Sequence, residues 1–269
     1  MKILVLNCQT LGALEIGHGD KRYSPSGPKA RQVLALLLLN ANSVVAHDAI
    51  VDELWRDSPP RSVSTTLQTY IYQLRKAFRG ELSESGLSHA LVTSAPGYKL
   101  RIPQGTIDSD NFELLAREGR QSFESGRYDE AHGRLEKALA LWKGNVLENV
   151  RPGRRIQSYA VRLDELRIFT IQLKVSCEMR MGRNRETVSE LRTLTEYHPL
   201  NEWFHGQLMS ALAGAGRRGE ALDVYQRLRS RLDDELGLEP SLEVKRFQAE
   251  ILRGEQWREF DQPPVPPSA

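Results

Sequence analysis

The sequence predicts an α+β domain followed by an all-α domain built from helical repeats. Up to about residue 104, short strand-like runs enclose three helical stretches, whereas most of residues 105–254 has the apolar spacing of helices. In that second part Gly182 and Gly216 lie 34 residues apart in similar segments, which is the period of tetratricopeptide helix pairs. We therefore place domains at 1–104 and 105–254 and expect the proline-rich tail 255–269 to be disordered.

Composition excludes several classes of protein. Of the 269 residues, 40% are hydrophobic and 27% are charged, which is typical of a globular protein. The longest apolar run, Val33–Leu39, is too short to span a bilayer, and we find no signal peptide, so we expect a cytoplasmic protein. Cys8 and Cys177 lie far apart and predict structural thiols rather than a disulfide or a zinc site.

The net charge of +2 conceals an asymmetry along the chain. Residues 1–105 carry twelve Lys and Arg against eight Asp and Glu, whereas residues 106–269 carry 25 against 27. A basic segment can attract polyanions such as DNA, but the six cations within residues 61–101 also fit an ordinary solvated surface. Charge alone therefore leaves both interpretations open.

The first elements follow from their local patterns. Short apolar runs broken by glycines indicate antiparallel strands, Pro28 suits the first turn of a helix, and Ser58-Pro59-Pro60 ends the second helical stretch. These patterns predict, in order, strands at 2–6 and 11–16, a helix over about 28–41, a strand at 43–46 and a second helix ending at Trp55.

The third helix, predicted to begin at about residue 61, has two contrasting faces. Its apolar stripe consists of Val63, Leu67, Ile71, Leu74 and Phe78. The opposite face, which we call the polar face, consists of Ser62, Thr65, Thr66, Thr69, Tyr72, Gln73 and Lys76. This face has no carboxylate and is rich in Thr, a weaker helix former than Glu or Lys. Its composition therefore indicates a purpose other than helix stability.

A β-hairpin is predicted near the end of the first domain. Strand-like runs at 90–94 and 98–102 flank Pro96-Gly97, a pair typical of the centre of a type II turn. Alternation buries the apolar side chains of the second run and exposes its two cations, Lys99 and Arg101.

This order of elements is that of a winged helix-turn-helix DNA-binding domain. In that fold the third helix enters the major groove, and the hairpin, or wing, contacts the backbone or the minor groove. Side chains facing a groove must be short, polar and free of carboxylates that would repel phosphates, and residues 61–76 meet these conditions. We therefore expect DNA contacts from the polar face and the wing.

The second domain is predicted to be a stack of helix pairs. Gly126, Gly182 and Gly216 each lie in a turn between two helical stretches. The first two glycines are 56 residues apart, so an insertion at 144–155 and a long helix over about 156–181 interrupt the array.

We find no catalytic or cofactor-binding pattern. The sequence has no GxxxxGK[ST], HExxH or GxSxG motif and no GxGxxG after a strand, and its six histidines are scattered. We therefore expect no enzyme, no cofactor and no metal site.

Several segments together resemble a known family. Those of the first domain are Leu54–Pro60, Thr66–Lys76 and Pro96–Leu100. Those of the second domain are Phe112, Ala138–Gly144, Arg162–Arg167, His198–Glu202 and Asp234–Pro240. In this order, over about residues 10–252, they resemble the Streptomyces antibiotic regulatory protein family. Its members join a DNA-binding domain of the response-regulator output (OmpR) type to a bacterial transcriptional activation domain.

The resemblance implies a transcriptional activator of secondary-metabolite, or antibiotic, gene clusters. Members of the family bind double-stranded DNA head-to-tail at direct repeats near the −35 element, as homo-oligomers, and recruit RNA polymerase holoenzyme with its sigma factor. Without a P-loop, the chain resembles the small members. DNA contacts are then expected from Arg61, Ser62, Thr65, Thr66, Thr69, Tyr70, Tyr72, Gln73, Arg75, Lys76, Lys99 and Arg101. Polymerase contacts are expected from Arg56, Asp57 and Ser58.

Some alternatives stay open. Tyr70 fits either a phosphate contact or a half-buried core position, Trp55 fits the core better than a contact, and the loop 56–60 also fits a tight connection. Gln73 stands where response-regulator output domains often carry Arg. Two other classes of function are a helical-repeat adaptor and a regulator gated by a small molecule on its repeat domain.

Overall fold

The computed structural model describes residues 6–254 and residue 260. The start of the first predicted strand, at 2–5, and the tail from 255, apart from Phe260, lie outside the described residues. No helix within the described part of the chain is long and apolar enough to cross a membrane.

The elements follow one another in two groups. The strands are Leu6–Gln9 (β1), Glu15–His18 (β2), Lys21–Tyr23 (β3), Val44–Ala46 (β4), Leu91–Ser94 (β5) and Gly97–Leu100 (β6). The helices are Pro28–Leu39 (α1), His47–Trp55 (α2), Val63–Arg79 (α3), Asp108–Glu124 (α4), Tyr128–Leu139 (α5), Arg154–Arg180 (α6), Asn184–Tyr197 (α7), Glu202–Gly214 (α8), Arg218–Leu236 (α9) and Leu242–Arg253 (α10). The predicted fold class, a winged helix-turn-helix followed by an all-helical domain, is confirmed.

Two small antiparallel sheets frame the first three helices. One is the meander β1-β2-β3, in which Cys8 lies opposite Ile16. The other has the order β4-β6-β5, with Tyr98 of β6 between Val45 and Thr93. Cys8 and Cys177 are both buried free thiols, and burial raises the pKa of each to about 12, which agrees with structural roles.

The turn of the hairpin differs from the predicted type II turn. Ser94 pairs with Gly97, so the two loop residues are Ala95 and Pro96, and Gly97 belongs to β6. A Cβ atom at position 97 would lie 1.9 Å from the carbonyl oxygen of Val45 on β4. The glycine is therefore required by the close approach of β4 and not by the turn.

The helix-turn-helix is held by apolar burial. Residues 33–38 of α1 are all buried. Helix α3 buries four members of its predicted stripe, Leu67, Ile71, Leu74 and Phe78, whereas the fifth, Val63 in its first turn, is only half-buried. Each Val, Leu, Ile or Phe side chain among them contributes about 1.5–3 kcal/mol when it leaves water. Because the stripe of α3 faces this core, its polar face is directed to solvent.

The chain folds into two compact units that interleave in sequence. The first unit comprises Met1–Arg117 and Glu136–Ile168, and the second comprises Glu118–Leu135 and Phe169–Ala269. The first unit thus extends beyond the 1–104 segment that the sequence pattern assigns to DNA binding.

Two buried carboxylates join distant segments within the first unit. Asp108 accepts hydrogen bonds from the backbone N–H of Thr10 at 2.7 Å, from the Thr10 hydroxyl at 2.6 Å and from the N–H of Leu11 at 3.1 Å. Glu53 of α2 accepts from the N–H groups of Gly153 at 2.7 Å and Arg155 at 2.8 Å, at the start of α6. Asp108 and the start of α6 are therefore hydrogen-bonded to residues of the segment 1–104 that lie about 100 positions earlier in the chain.

The second unit contains the helical stack of α7 to α10. Its turn glycines Gly126, Gly182 and Gly216 have φ angles of 74°, 75° and 78°, a left-handed conformation that favours glycine. Helix α8 is buried over Trp203–Ala213, so its neighbours cover it on every side. This arrangement matches the helix pairs predicted from the glycine spacing.

Candidate nucleic-acid interface

The polar face of α3 is presented to solvent without any negative charge. Thr65, Thr69, Gln73 and Lys76 are exposed, and Tyr72 exposes 66% of its surface. Thr66 is half-buried and Ser62 is exposed. All 17 residues of α3 lack a carboxylate, and the helix has cations in its last turn. Such a face can approach a polyanion without like-charge repulsion.

The N-terminus of α3 adds a favourable dipole. Ser62 occupies the N-cap, but its side chain lies 3.4 Å from the Thr66 hydroxyl and makes no capping hydrogen bond to a backbone N–H of the first turn, which has no acidic residue. N–H groups at an uncapped helix start attract phosphate oxygens. The exposed residues Arg61 and Ser62 lie at this end of the helix.

Two threonine hydroxyls on the polar face are oriented by their own helix. Thr66 Oγ1 donates to the carbonyl of Ser62 at 3.0 Å, and Thr69 Oγ1 donates to that of Thr65 at 3.0 Å. Each hydroxyl oxygen keeps lone pairs for accepting. In a major groove these oxygens could accept from the amino groups of adenine or cytosine.

Arg75 joins α3 to the wing. Its Nε donates to the carbonyl of Leu91 at 3.0 Å, and one Nη donates to the Thr93 hydroxyl at 2.9 Å, both on β5. An arginine has five N–H donors, so three remain for a phosphate. The structure gives Arg75 a positioning role that sequence reasoning missed.

Tyr70 lies between the core and the surface. Its ring stacks on Trp55 of α2 with centroids 6.5 Å apart, and both residues are half-buried. The Lys29 ammonium lies 5.8 Å from the Trp55 ring centre and donates to the Leu54 carbonyl. These contacts link α1, α2 and α3, so Tyr70 fixes the helix-turn-helix geometry whether or not it also meets a phosphate.

The wing cations are Lys99, on the central strand of the β4-β6-β5 sheet, and Arg101, which follows that strand. Lys99 is half-buried, with Val44 and Val92 beside it in register, and Arg101 is exposed just beyond β6. Neither cation has an ion-pair partner within residues 6–254 and 260, so both remain available for phosphates. They project from the sheet and not from the hairpin tip.

The connection between α2 and α3 is open to a partner. Arg56, Asp57 and Ser58 are all exposed, and Arg56 has a φ of 52° where the chain leaves α2. The N–H of Ser58 donates to the Trp55 carbonyl at 3.1 Å, which gives the loop a defined shape.

Sequence reasoning also missed Glu53, although a signal was present. Glu53 follows Ile50 by three residues and precedes Leu54, so it falls on the apolar stripe of α2. A carboxylate at such a position predicts a buried partner. Asp108 had no comparable signal, because acidic residues are common at helix starts.

Comparison with known proteins agrees with this geometry. The family model "Transcriptional regulatory protein, C terminal" matches residues 24–100, and "Bacterial transcriptional activator domain" matches residues 107–252. Regulatory protein DnrI of Streptomyces peucetius is 39% identical over 265 residues, covering 96% of each chain. The chain belongs to the Streptomyces antibiotic regulatory protein family. It is a DNA-binding transcriptional regulator of that family.

Other relatives of this Streptomyces antibiotic regulatory protein are longer. Transcriptional regulatory protein EmbR of Mycobacterium tuberculosis is 34% identical over 85% of this chain and 59% of its own length. Regulatory protein AfsR of Streptomyces griseus is 32% identical over 93% of this chain and 25% of its own length. A solved structure, "Mycobacterium tuberculosis EmbR in complex with low affinity phosphopeptide", is similar with a TM-score of 0.86 and 30% identity, over 95% of this chain and 67% of that one.

Proposed function

We propose that this regulator activates a secondary-metabolite gene cluster by binding direct repeats near the −35 element of its promoters. The observation that carries the proposal is the carboxylate-free polar face of α3, which is exposed over four helical turns. Its DNA contacts would come from this face together with Arg61, Arg75, Lys99 and Arg101. The similarity to DnrI, which is named a regulatory protein in Streptomyces peucetius, supports this assignment.

Activation would use a surface distinct from the DNA contacts. The exposed loop at Arg56, Asp57 and Ser58 lies next to α3 in sequence, so a DNA-bound protomer could present it to RNA polymerase holoenzyme and its sigma factor. Protomers would bind head-to-tail, each placing its own α3 in one major groove. The regulator would then act by binding, without catalysis.

The substitution Thr69→Glu tests the role of the polar face. A glutamate there would point at phosphates and base acceptors, so we expect specific operator affinity to fall at least tenfold, measured by footprinting on promoters around the protein's own gene. Thr193→Glu is the matched control. Thr193 is also exposed on a helix and also donates to the carbonyl four residues earlier, that of Ser189, at 3.3 Å.

The control variant should keep the parental affinity, and both variants should keep the parental circular dichroism. Surface helix substitutions of this kind change stability by a few tenths of a kcal/mol. If Thr69→Glu bound the operator like the parent, α3 would not enter the groove.

The spacing of the operator tests the head-to-tail arrangement. Inserting about five base pairs between the repeats turns one site to the opposite side of the duplex, so cooperative affinity should be lost. Inserting about ten base pairs restores the relative orientation and should restore part of the affinity. Equal affinity for both spacings, measured by gel shift, would contradict the arrangement.

A further inference from the structure

Phe260, in the C-terminal tail, is almost fully buried in the second unit. It lies seven residues after Arg253, the last residue of α10, and belongs to no helix or strand. Only 6% of its surface is exposed, and its ring meets that of Phe247 on α10 edge to face, with ring centroids 5.5 Å apart. A single aromatic side chain outside regular structure is thus seated in the helical stack.

Helix α8 supplies the space for the Phe260 ring. Gly206 lies in the interior of α8, where glycine is a poorer helix former than alanine. A Cβ atom at position 206 would overlap the Phe260 ring, so the ring fills the space that a side chain would take. Gly133 differs, because it lies inside α5 with open space around its Cβ position. The ring therefore accounts for the glycine of α8.

Two buried polar side chains of α8 bind the backbone of Phe260. Gln207 Nε2 donates to the Phe260 carbonyl oxygen at 2.9 Å, and Ser210 Oγ accepts from the Phe260 N–H at 3.4 Å. Neither side chain has another hydrogen-bond partner among residues 6–254 and 260. Every residue except proline has these two backbone groups, so the bonds do not depend on the identity of the residue. Only the space at Gly206 selects an aromatic ring.

We propose that Gly206, Gln207, Ser210 and Phe247 form a peptide-binding site, which we call the ring site, and that an aromatic residue of a partner polypeptide occupies it in place of Phe260. Backbone hydrogen bonds combined with a pocket for one side chain are a common mode of peptide recognition. The sequence after Phe260, with four prolines in 261–269, predicts no helix or strand that would fix the ring from that side.

The tail is then the resident competitor of the partner. Its connection to α10 is short, which gives Phe260 an effective concentration on the order of millimolar at the ring site. A partner segment has to displace Phe260, and the site is available to weak ligands only when the tail has left it.

Fluorescence anisotropy of a labelled peptide of residues 256–264 tests the proposal on the full chain. The receptor is the variant Phe260→Ala, whose ring site has lost its own ligand. We expect saturable binding to this variant and at least tenfold weaker binding to the parent, whose Phe260 competes. A peptide with Ala in place of Phe260 keeps the Trp257 ring and should bind the variant at least tenfold more weakly.

An unlabelled competitor separates a general site from one that recognises only this tail. A nine-residue Gly-Ser peptide with one central Phe shares the ring and the backbone groups alone, and it should displace the labelled peptide at millimolar concentration. Its counterpart with a central Ala should not.

Matched glycine variants locate the binding. Adding Gly206→Ala to Phe260→Ala should weaken peptide binding at least tenfold, because the new methyl group takes the place of the ring. Adding Gly133→Ala instead should leave binding unchanged, because that Cβ position is open. Alanine is the better helix former at both positions, so both variants should keep the parental circular dichroism.

The proposal is overturned if Phe260→Ala does not bind the labelled peptide, which would make Phe260 a structural latch of α10. Equal binding by the parent, equal binding of the alanine peptide, or failure of the Gly-Ser-Phe peptide to compete would also overturn it. Unchanged binding after Gly206→Ala would exclude α8. None of these measurements includes DNA, so their outcome is independent of the proposed operator contacts.

Discussion

Three polar side chains, those of Glu53, Asp108 and His205, are almost fully buried, and their surroundings differ. Glu53 and Asp108 each accept at least three hydrogen bonds, which offset part of the cost of removing their charge from water. For Asp108 desolvation still outweighs these bonds and raises its pKa. His205 has one hydrogen bond and is held neutral by burial. Proton binding should therefore affect stability most directly at His205.

Acidification should destabilise the protein through His205. The folded-state pKa of about 4 lies below the ordinary value of 6.5, so the unfolded chain binds the proton more readily between these values. The stabilisation is complete above pH 6.5 and is lost as the pH falls towards 4. Between pH 7 and pH 5 this group should lower the free energy of unfolding by about 2 kcal/mol.

Urea denaturation at pH 7 and pH 5 measures this effect. The variant His205→Gln cannot be protonated and should lose less stability on acidification than the parent, by about 2 kcal/mol. Equal losses in the two proteins would mean that His205 is not held neutral in the fold.

At the scale of elements, α3 and the wing act as one assembly because Arg75 bonds both. The helices of this assembly were predictable from apolar spacing, and the buried stripe of α3 confirms that pattern. The hairpin turn was not predictable, because Gly97 is required by the close approach of the β4 backbone, about 50 residues earlier in the chain. The hydrogen bonds from Arg75 to β5 could not be predicted from the sequence either, because the position of a cation on a helix does not indicate which residue it contacts. Local periodicity specifies elements, whereas contacts between elements depend on register and tertiary distance.

The wing cations should contribute salt dependence to DNA binding. Lys99→Ala and Arg101→Ala each remove a cation without an ion-pair partner among the described residues, so each should reduce the slope of log K against log salt by about 0.9 if it meets a phosphate. Preference among operator sequences should hardly change. Affinity titrations at several salt concentrations give the slope, and Lys137→Ala on α5 is the control with an exposed lysine elsewhere. A parental slope would place that wing side chain in solvent.

At the scale of the whole molecule, the compact units do not coincide with the order of segments in the sequence. The buried cluster of the first unit includes apolar residues from beyond position 104, namely Ile107, Phe112, Ala116, Ala138, Trp142, Val146, Leu147, Val150, Ile156 and Leu163. The change in apolar spacing near residue 105 predicted where the part of the chain that contains strands ends and the helical part begins. It could not predict this burial, because periodicity shows which face is apolar but not which partner covers it.

Two fragments test the extent of the first unit. A fragment of residues 1–104 lacks Asp108 and all the later members of the buried cluster, whereas a fragment of residues 1–168 keeps them. Loss of several buried apolar side chains costs several kcal/mol, so the shorter fragment should melt at least about 10 °C lower. Thermal unfolding followed by circular dichroism compares the two. Equal melting temperatures would show that the DNA-binding segment is stable without the later residues.

The hydrogen bonds between Glu53 and the start of α6 constrain how this regulator can be recombined with its relatives. At Gly153 a Cβ atom would lie 2.3 Å from the backbone oxygen of Glu53, so this position accepts only glycine while α2 keeps its place. In a hybrid that joins the DNA-binding domain of another regulator to the remainder of this chain, the residue at position 53 comes from one parent and the N–H groups at the start of α6 come from the other. DNA-binding domains with a carboxylate at the position equivalent to Glu53 should be compatible with this α6. Other DNA-binding domains would leave the N–H groups at the start of α6 without an acceptor. The practical junction for exchanging operator specificity therefore has to preserve this pair, wherever the domain boundary is drawn.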